Sequence, residues 1–250
     1  MRLKNKVAIV TGGGRDIGRA VSLKLASEGA RVVVNFANDE SSANETLGAI
    51  LAAGGQGVLC RADVSMTAGA QSVVGTAIAA YGAQIDILVN LAGGMVARRP
   101  LAELDAAFVD QVMGLNFRSA VLMAHATVPH MVAGGTIVNF SSQAGRDGGG
   151  PGAAIYAASK GAVSTFTRAI AKELGPKGIR VNALCPGMID TSFHDTFSKD
   201  EVRKMVAGNT PLRREGRAEE VAETVAFLAS DASSFITGVN LDVNGGLLFS

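Results

Sequence analysis

Tryptophan is absent from this 250-residue chain, histidine occurs three times and cysteine twice, and aromatic residues make up only 5%. Cys60 and Cys185 form no CxxC pair and no cluster with the histidines. That pattern excludes a disulfide framework and a structural zinc site, predicts no metal, and makes a reducing compartment the default. Charge of one sign is also lacking: the net charge is +1, from 23 Lys and Arg against 22 Asp and Glu. Such a balance gives no footing for a polyanion, so nucleic acid is not an expected partner. Long apolar runs are missing too. Met1-Arg2-Leu3-Lys4-Asn5-Lys6 leads into only four apolar residues before Thr11-Gly12, too few for a signal peptide, and no later run is long enough to span a bilayer. The expectation is a soluble cytoplasmic protein with no membrane partner.

What is present is a chain 48% apolar, long enough for one large α/β domain with a substantial core. Short continuous apolar runs recur at residues 7–10, 32–34, 85–89, 137–140, 181–184 and 239–243. Continuous rather than alternating hydrophobicity suits strands buried on both faces, as in a parallel sheet. Helix-like segments lie between them at 17–28, 43–53, 68–81, 108–125, 155–174 and 219–229. The alternation predicts a single Rossmann-like domain over 1–250: a doubly wound parallel sheet with helices on both faces. No internal repeat or linker interrupts it. The glycine-rich residues 145–152 read as an active-site loop, and 193–210, with weak periodicity, as a substrate lid.

Two motifs carry chemistry. Thr11-Gly12-Gly13-Gly14-Arg15-Asp16-Ile17-Gly18 follows the first strand and opens the first helix. Glycines let the backbone approach a pyrophosphate, and the helix N-terminus offers unpaired N–H groups. The second is Tyr156-Ala157-Ala158-Ser159-Lys160, with Ser142 upstream at a strand end. Positions i and i+4 share one helix face, so the phenol and the ammonium reach one pocket. A lysine charge within roughly 4–6 Å favours the phenolate, which predicts a lowered Tyr156 pKa.

With these motifs in this order, the chain resembles the short-chain dehydrogenase/reductase family over almost its whole length. Thr11, Gly12 and Gly18 match the fingerprint TGxxxGxG, but Asp16 stands where the middle glycine belongs. Aspartate tolerates a left-handed backbone better than most residues. The resemblance implies cofactor contacts from Gly12, Arg15, Asp16, Ile17 and Gly18, and from Asn35 and Phe36 after the second strand. It implies them also from Asp63-Val64 after the third strand, and from Asn90, Ala92 and Gly93 in Asn90-Leu91-Ala92-Gly93. Pro186, Gly187, Ile189 and Thr191 are similar to the segment that holds the nicotinamide carboxamide, with Tyr156 and Lys160 beside it. Phe36 occupies the place where NAD-preferring relatives carry aspartate, and Arg15 a place often basic in NADP-preferring ones. NADPH is therefore the favoured cofactor, with NADH the alternative.

By the same resemblance Asn116, Ser142, Tyr156 and Lys160 form a catalytic tetrad. Tyr156 exchanges a proton with the substrate oxygen, Lys160 lowers the Tyr156 pKa and Ser142 hydrogen-bonds the oxygen. Asn116 anchors a proton-relay water. Ser141 remains an alternative for the serine. The ending Ile236-Thr237-Gly238 and Asn244-Gly245-Gly246 resembles 3-oxoacyl-acyl-carrier-protein reductases, whose acidic partner Lys177 suits. Arg98, Arg99 and residues 148–151 resemble reductases of uronate-derived keto sugar acids. Arginine pairs a carboxylate bidentately, so Arg98, Arg99, Arg146 and His194, with Ser142, are the expected substrate residues for a small polar keto or aldehyde acid. An inactive nucleotide-binding regulatory module is the reading from a different class, and the complete tetrad speaks against it. Homotetramers through the helices at 108–125 and 155–174 and the C-terminal segment are the assembly the resemblance implies.

Overall fold

The computed structural model describes residues 1–249. Its centre is a seven-stranded, all-parallel sheet in the order β3-β2-β1-β4-β5-β6-β7. The strands are β1 (Val7–Val10), β2 (Arg31–Phe36), β3 (Gln56–Arg61), β4 (Ile87–Asn90), β5 (Thr136–Phe140), β6 (Arg180–Pro186) and β7 (Asn240–Val243). Every residue of β1, β4 and β5 is buried, as the unbroken apolar runs predict. The edge strand β3 is not among the apolar runs: it has only the short Val58-Leu59-Cys60, and its ends, Gln56 and Arg61, are exposed.

The helices are α1 (Asp16–Ser27), α2 (Glu40–Ala52), α3 (Thr67–Tyr81), α4 (Ala106–Met113), α5 (Ser119–Thr127), α6 (Ala144–Asp147), α7 (Ala154–Leu174), α8 (Ser192–Phe197), α9 (Asp200–Asn209) and α10 (Ala218–Ala229). Two apolar layers sandwich the sheet. On one face Val21 and Leu25 of α1 and Val221, Val225 and Leu228 of α10 pack on Ala8, Val10, Val32 and Val34. On the other, Val73 and Ala77 of α3, Met123 of α5 and Ala171 and Leu174 of α7 pack on Ile9, Val33, Leu88 and Ile137. Each such aliphatic side chain contributes about 1.5–3 kcal/mol when fully buried.

The predicted helix at 108–125 is not continuous. Between α4 and α5 the chain forms one π turn, Gly114–Arg118, which holds the buried Asn116. The strand order reverses between β1 and β4, and the carboxyl ends of these strands open a crevice there, the usual ligand position in open α/β sheets. Among the described residues no helix is long and apolar enough to cross a membrane.

Candidate active site

A cavity of about 880 Å³ runs along that crevice, from Gly12–Gly18 past Asp63, Val64 and Ala92 to Tyr156 and Lys160. At its nucleotide end the backbone leaves no room for side chains. A Cβ on Gly18 would collide with the Gly12 carbonyl oxygen, and one on Gly12 would lie 3.2 Å from Ala92 Cα. Gly12 also has φ +63°, which favours glycine. Thr11 ties this turn to the next strand end, its Oγ1 accepting from Leu91 N and Ala92 N at 3.0 Å each. Asn35 braces the turn from β2: its Oδ1 accepts from Gly12 N at 3.4 Å and its backbone carbonyl from Gly13 N at 2.9 Å, while its amide donates to Cys60 O at 3.1 Å and Ala62 O at 3.0 Å. The glycine cradle and the helix N-terminus above it fit a dinucleotide pyrophosphate.

The predicted cofactor residues Arg15, Asp16, Ile17, Asn35, Phe36, Asp63, Val64, Ala92 and Gly93 all line the cavity, as do Pro186, Gly187, Ile189 and Thr191. Asn90 does not. It is 5% exposed at the end of β4, and its amide donates to Asn139 Oδ1 at 2.9 Å. The structure thus assigns Asn90 to pinning β4 against β5 beneath the cavity floor. Asp16 adopts φ +49°, the left-handed conformation of the glycine it replaces. Its carboxylate turns toward the start of α8, where Oδ2 accepts from Ser192 Oγ at 2.6 Å and Oδ1 from Ser192 N at 3.1 Å.

Three of the four tetrad residues reach the cavity directly. Ser142, just beyond the end of β5, and Tyr156 and Lys160, one turn apart on α7, all line it. Asn116 stands behind Gly93. Its amide donates to Gly94 O at 2.8 Å and Val112 O at 3.0 Å, and its Oδ1 accepts from Gly94 N at 3.0 Å. A Cβ on Gly93 would sit 2.6 Å from Asn116 Oδ1 and 3.0 Å from Lys160 Nζ, so only glycine there lets these groups converge. The π turn carries Asn116 to that point, and the amide picks up the Val112 carbonyl within the distorted turn.

The two neighbouring serines differ in their partners. Ser141 is buried and spends its hydroxyl on Lys160 O at 2.8 Å, with Ser164 Oγ at 2.7 Å. Ser142 Oγ accepts from Ala144 N at 3.2 Å and lines the cavity, near enough to the Tyr156 phenol to temper its pKa. Lys160 is 4% exposed and donates to Phe140 O at 2.8 Å. Burial pulls its pKa down to about 8. The expectation of a lowered Tyr156 pKa is reversed: burial pushes the phenol up, and the nearby Ser142 hydroxyl opposes this only in part. The Lys160 ammonium lies 5.8 Å from the Tyr156 ring centroid and is aimed at a carbonyl, so desolvation outweighs its charge. At neutral pH the phenol is protonated.

Residues 193–210 fold as α8 and α9 and cover this end of the cavity. Phe193 lies 6.0 Å from Tyr156 and 5.0 Å from Phe197, centroid to centroid. Arg203 of α9 gathers three carboxylates: Asp190 at 2.5 Å, Asp195 at 2.5 Å and Glu215 at 2.6 Å. Together they raise its pKa, the Glu215 hydrogen bond most. Sequence reading passed over Phe193, Met205 and Arg203, because an isolated Phe or Arg in a weakly periodic stretch carries no signal of what it meets.

The expected substrate residues divide. Arg98 and His194 line the cavity. Arg98 donates to Pro151 O and Phe197 O, at 3.0 Å each, strapping the 145–152 loop to the end of α8. His194 Nδ1 lies 2.9 Å from Ser198 Oγ, and burial, with Arg203 and Arg98 nearby, lowers its pKa so that it is neutral. Arg99 and Arg146 are not brought to the cavity. Arg99 stacks on Phe108 at 4.3 Å and pairs with Asp105 at 3.0 Å. Arg146 turns under β7, pairing with Asp242 at 3.1 Å and donating to Asn240 O. The adjacent Asp242 carboxylate draws the guanidinium away from the glycine-rich loop that carries it.

Comparison with known proteins agrees with this geometry. A family model described as enoyl-(acyl carrier protein) reductase matches residues 12–248. A 3-oxoacyl-acyl-carrier-protein reductase of Synechocystis sp. is 36% identical over 253 residues, covering 98% of this chain and 98% of that protein. The crystal structure of a short chain dehydrogenase from Burkholderia cenocepacia in complex with NADP is 31% identical, with a TM-score of 0.92 and 99% of each chain covered. That of the NADH-dependent reductase A1-R' responsible for alginate metabolism is 36% identical, with a TM-score of 0.90 and 99% of each chain covered.

Proposed function

The chain belongs to the short-chain dehydrogenase/reductase family, and from that membership we propose that it reduces a small polar keto or aldehyde acid, such as a uronate-derived keto sugar acid, with NADPH. The observation that carries the reading is the convergence of Ser142, Tyr156 and Lys160, backed by Asn116 at Gly93, at one end of a cavity whose other end is a glycine cradle.

When bound, the nicotinamide supplies hydride to the carbonyl carbon. The protein moves the proton. Tyr156, held protonated by burial, gives its phenolic hydrogen to the carbonyl oxygen as negative charge develops there. Ser142, whose hydroxyl accepts from Ala144 N and keeps its hydrogen for the substrate, donates a hydrogen bond to the same oxygen. The phenolate left behind is stabilised by the Lys160 ammonium, so that charge matters more after proton transfer than before it. Differential stabilisation of this kind is what lowers a barrier. Asn116 holds the Gly93–Gly94 backbone against Lys160 and so keeps that ammonium in register.

NADPH preference rests on Arg15, whose side chain is 64% exposed with only a 3.8 Å approach to Asp16, beside an uncharged Phe36. Arg15 is therefore available to a ribose phosphate, whereas no carboxylate stands at position 36 to accept from a ribose hydroxyl. The acid reading rests on Arg98, the one expected arginine placed at the cavity, and on likeness to a reductase named for alginate metabolism. Arg99 and Arg146 no longer support it. A second reading, 3-oxoacyl-acyl-carrier-protein reduction, is favoured by the apolar Phe193, Met205 and Val206 lining the covered end and by the Synechocystis relative.

Turnover of a keto sugar acid and of an acetoacetyl thioester, each with NADPH and NADH, separates these readings. Preference for the thioester refutes the acid, and equal or better efficiency with NADH refutes the NADPH assignment. We also propose a homotetramer in the cytoplasm, supported by exposed apolar side chains near the sheet edge, Phe235, Leu241 and Phe249. Light scattering tests the assembly.

A further inference from the structure

We propose that Asp16 is a positioning residue that clamps the cover of the active site: its carboxylate holds Ser192, and through it the adjoining Phe193, over Tyr156. The contact links residues 176 apart in sequence. Both carboxylate oxygens are used by one residue, Oδ2 on the Ser192 hydroxyl at 2.6 Å and Oδ1 on its backbone N–H at 3.1 Å. Charge-assisted bonds of this kind are about twice as strong as neutral ones. Ser192 is the first residue of α8, so fixing both its backbone and its side chain fixes the direction in which the helix departs. The next residue, Phe193, is the ring 6.0 Å from Tyr156.

The cost of this arrangement is visible at Asp16 itself. Its φ of +49° is a conformation that glycine adopts freely and an L side chain does not. A carboxylate is placed in the one turn where the glycine cradle meets phosphate, with Arg15 Nε 3.8 Å away to offset its charge. Glycine would serve the turn better, so the side chain must act elsewhere, and the only residue it hydrogen-bonds among the described residues is Ser192. The remaining ties of the cover lie farther along. Arg98 takes Phe197 O at the end of α8, and Arg203 takes Asp195 and joins α9 to Asp190 and Glu215. Asp16 is thus the tie at the start of α8.

The kinetic part of this inference rests on the reaction proposed above; the structural part does not. Hydrogen exchange in the cofactor-free protein reads the clamp without any substrate. Asp16→Gly relieves the positive φ, so a loosened α8 in that variant is not a failure of the turn to fold. Exchange in a peptide spanning 192–197 should accelerate about tenfold while 200–209, held by Arg203, stays at the parent rate. Ser192→Ala, which loses the hydroxyl bond but keeps the N–H bond to Oδ1, should accelerate it less, and the double variant should exchange no faster than Asp16→Gly alone. Asp16→Asn, whose amide oxygen still accepts from the Ser192 N–H, should restore protection. With a carbonyl substrate, Asp16→Gly should raise KM about tenfold and change kcat less than about threefold. Unchanged exchange at 192–197 in Asp16→Gly, or effects of the two single variants that simply add, would overturn the clamp. If the parent protein turned over no carbonyl, the proposed reaction would fall while the exchange result still decided the clamp.

Discussion

The floor of the active site and its cover are built from different materials. Below, Asn116, Ser141 and Lys160 are buried at 2–4% exposure and tied by hydrogen bonds to backbone carbonyls and to each other's helices. Above, α8 and α9 have no buried residue and are held by side-chain clamps, chiefly Arg203 on three carboxylates. Buried polar groups must be satisfied or the fold pays several kcal/mol, so the floor is fixed by the same energetics that make the core. Partly exposed ion pairs are worth about 0–1 kcal/mol each. The cover is therefore held by a few side-chain clamps, whereas the proton-transfer groups are fixed by burial.

That contrast can be broken at the floor with the largest effect. Lys160→Met should lower kcat/KM by about 10²–10³ through loss of phenolate stabilisation, measured by initial rates at saturating dinucleotide. At the cover, Arg98→Ala should raise KM for a keto acid by roughly 10-fold and for a neutral ketone by clearly less, since loss of the strap to Phe197 O and Pro151 O weighs on both substrates but loss of the charge only on the acid. Arg146→Ala, whose side chain lies under β7, should alter melting temperature and not KM. If Arg146→Ala instead gave the KM effect, the placement of the two arginines would be wrong. Arg203→Met should have a smaller kinetic effect, a KM increase of about threefold with kcat held, together with faster proteolysis at 193–210.

The smallest effect is on stability. In the folded chain Lys160 titrates near 8, below its ordinary 10.5. Between those values the unfolded chain binds more protons, so stability rises with pH across that window, and the penalty is fully present below about 8. The melting temperature of the parent should therefore gain on that of Lys160→Met by a few degrees between pH 8 and pH 9.5. A parallel pH profile for the two proteins would remove the buried charge from the account.

The parts of this architecture that sequence could reveal are those with a one-dimensional signature. Strands β1, β4 and β5 announce themselves as unbroken apolar runs, and Tyr156 and Lys160 as an i, i+4 pair in a motif order that leaves few alternatives. Strand β3 is weaker as a signal, because its apolar run is only Val58–Cys60 between exposed ends, and the family motif at Asp63-Val64 marks it better than its hydrophobicity does. The arginines could be located in sequence but not aimed: Arg146 follows Ser142 closely in the chain, yet Asp242 of β7 draws it away. Asn90 was placed in the cofactor site by its motif, whereas its partner Asn139, on the neighbouring strand, is invisible without the sheet register. The Tyr156 pKa was misjudged for the same reason. A charge four residues away can be read from sequence; the desolvation that outweighs it cannot.

The most direct test of the proton-transfer site is Tyr156→Phe, which removes one oxygen and keeps the ring against Phe193. Dinucleotide affinity, followed by fluorescence titration, and turnover of the best carbonyl substrate should be measured on the same preparation. Affinity should stay within about threefold of the parent while kcat falls by about 10³. Turnover retained within tenfold of the parent would contradict the assignment of Tyr156 as the proton donor.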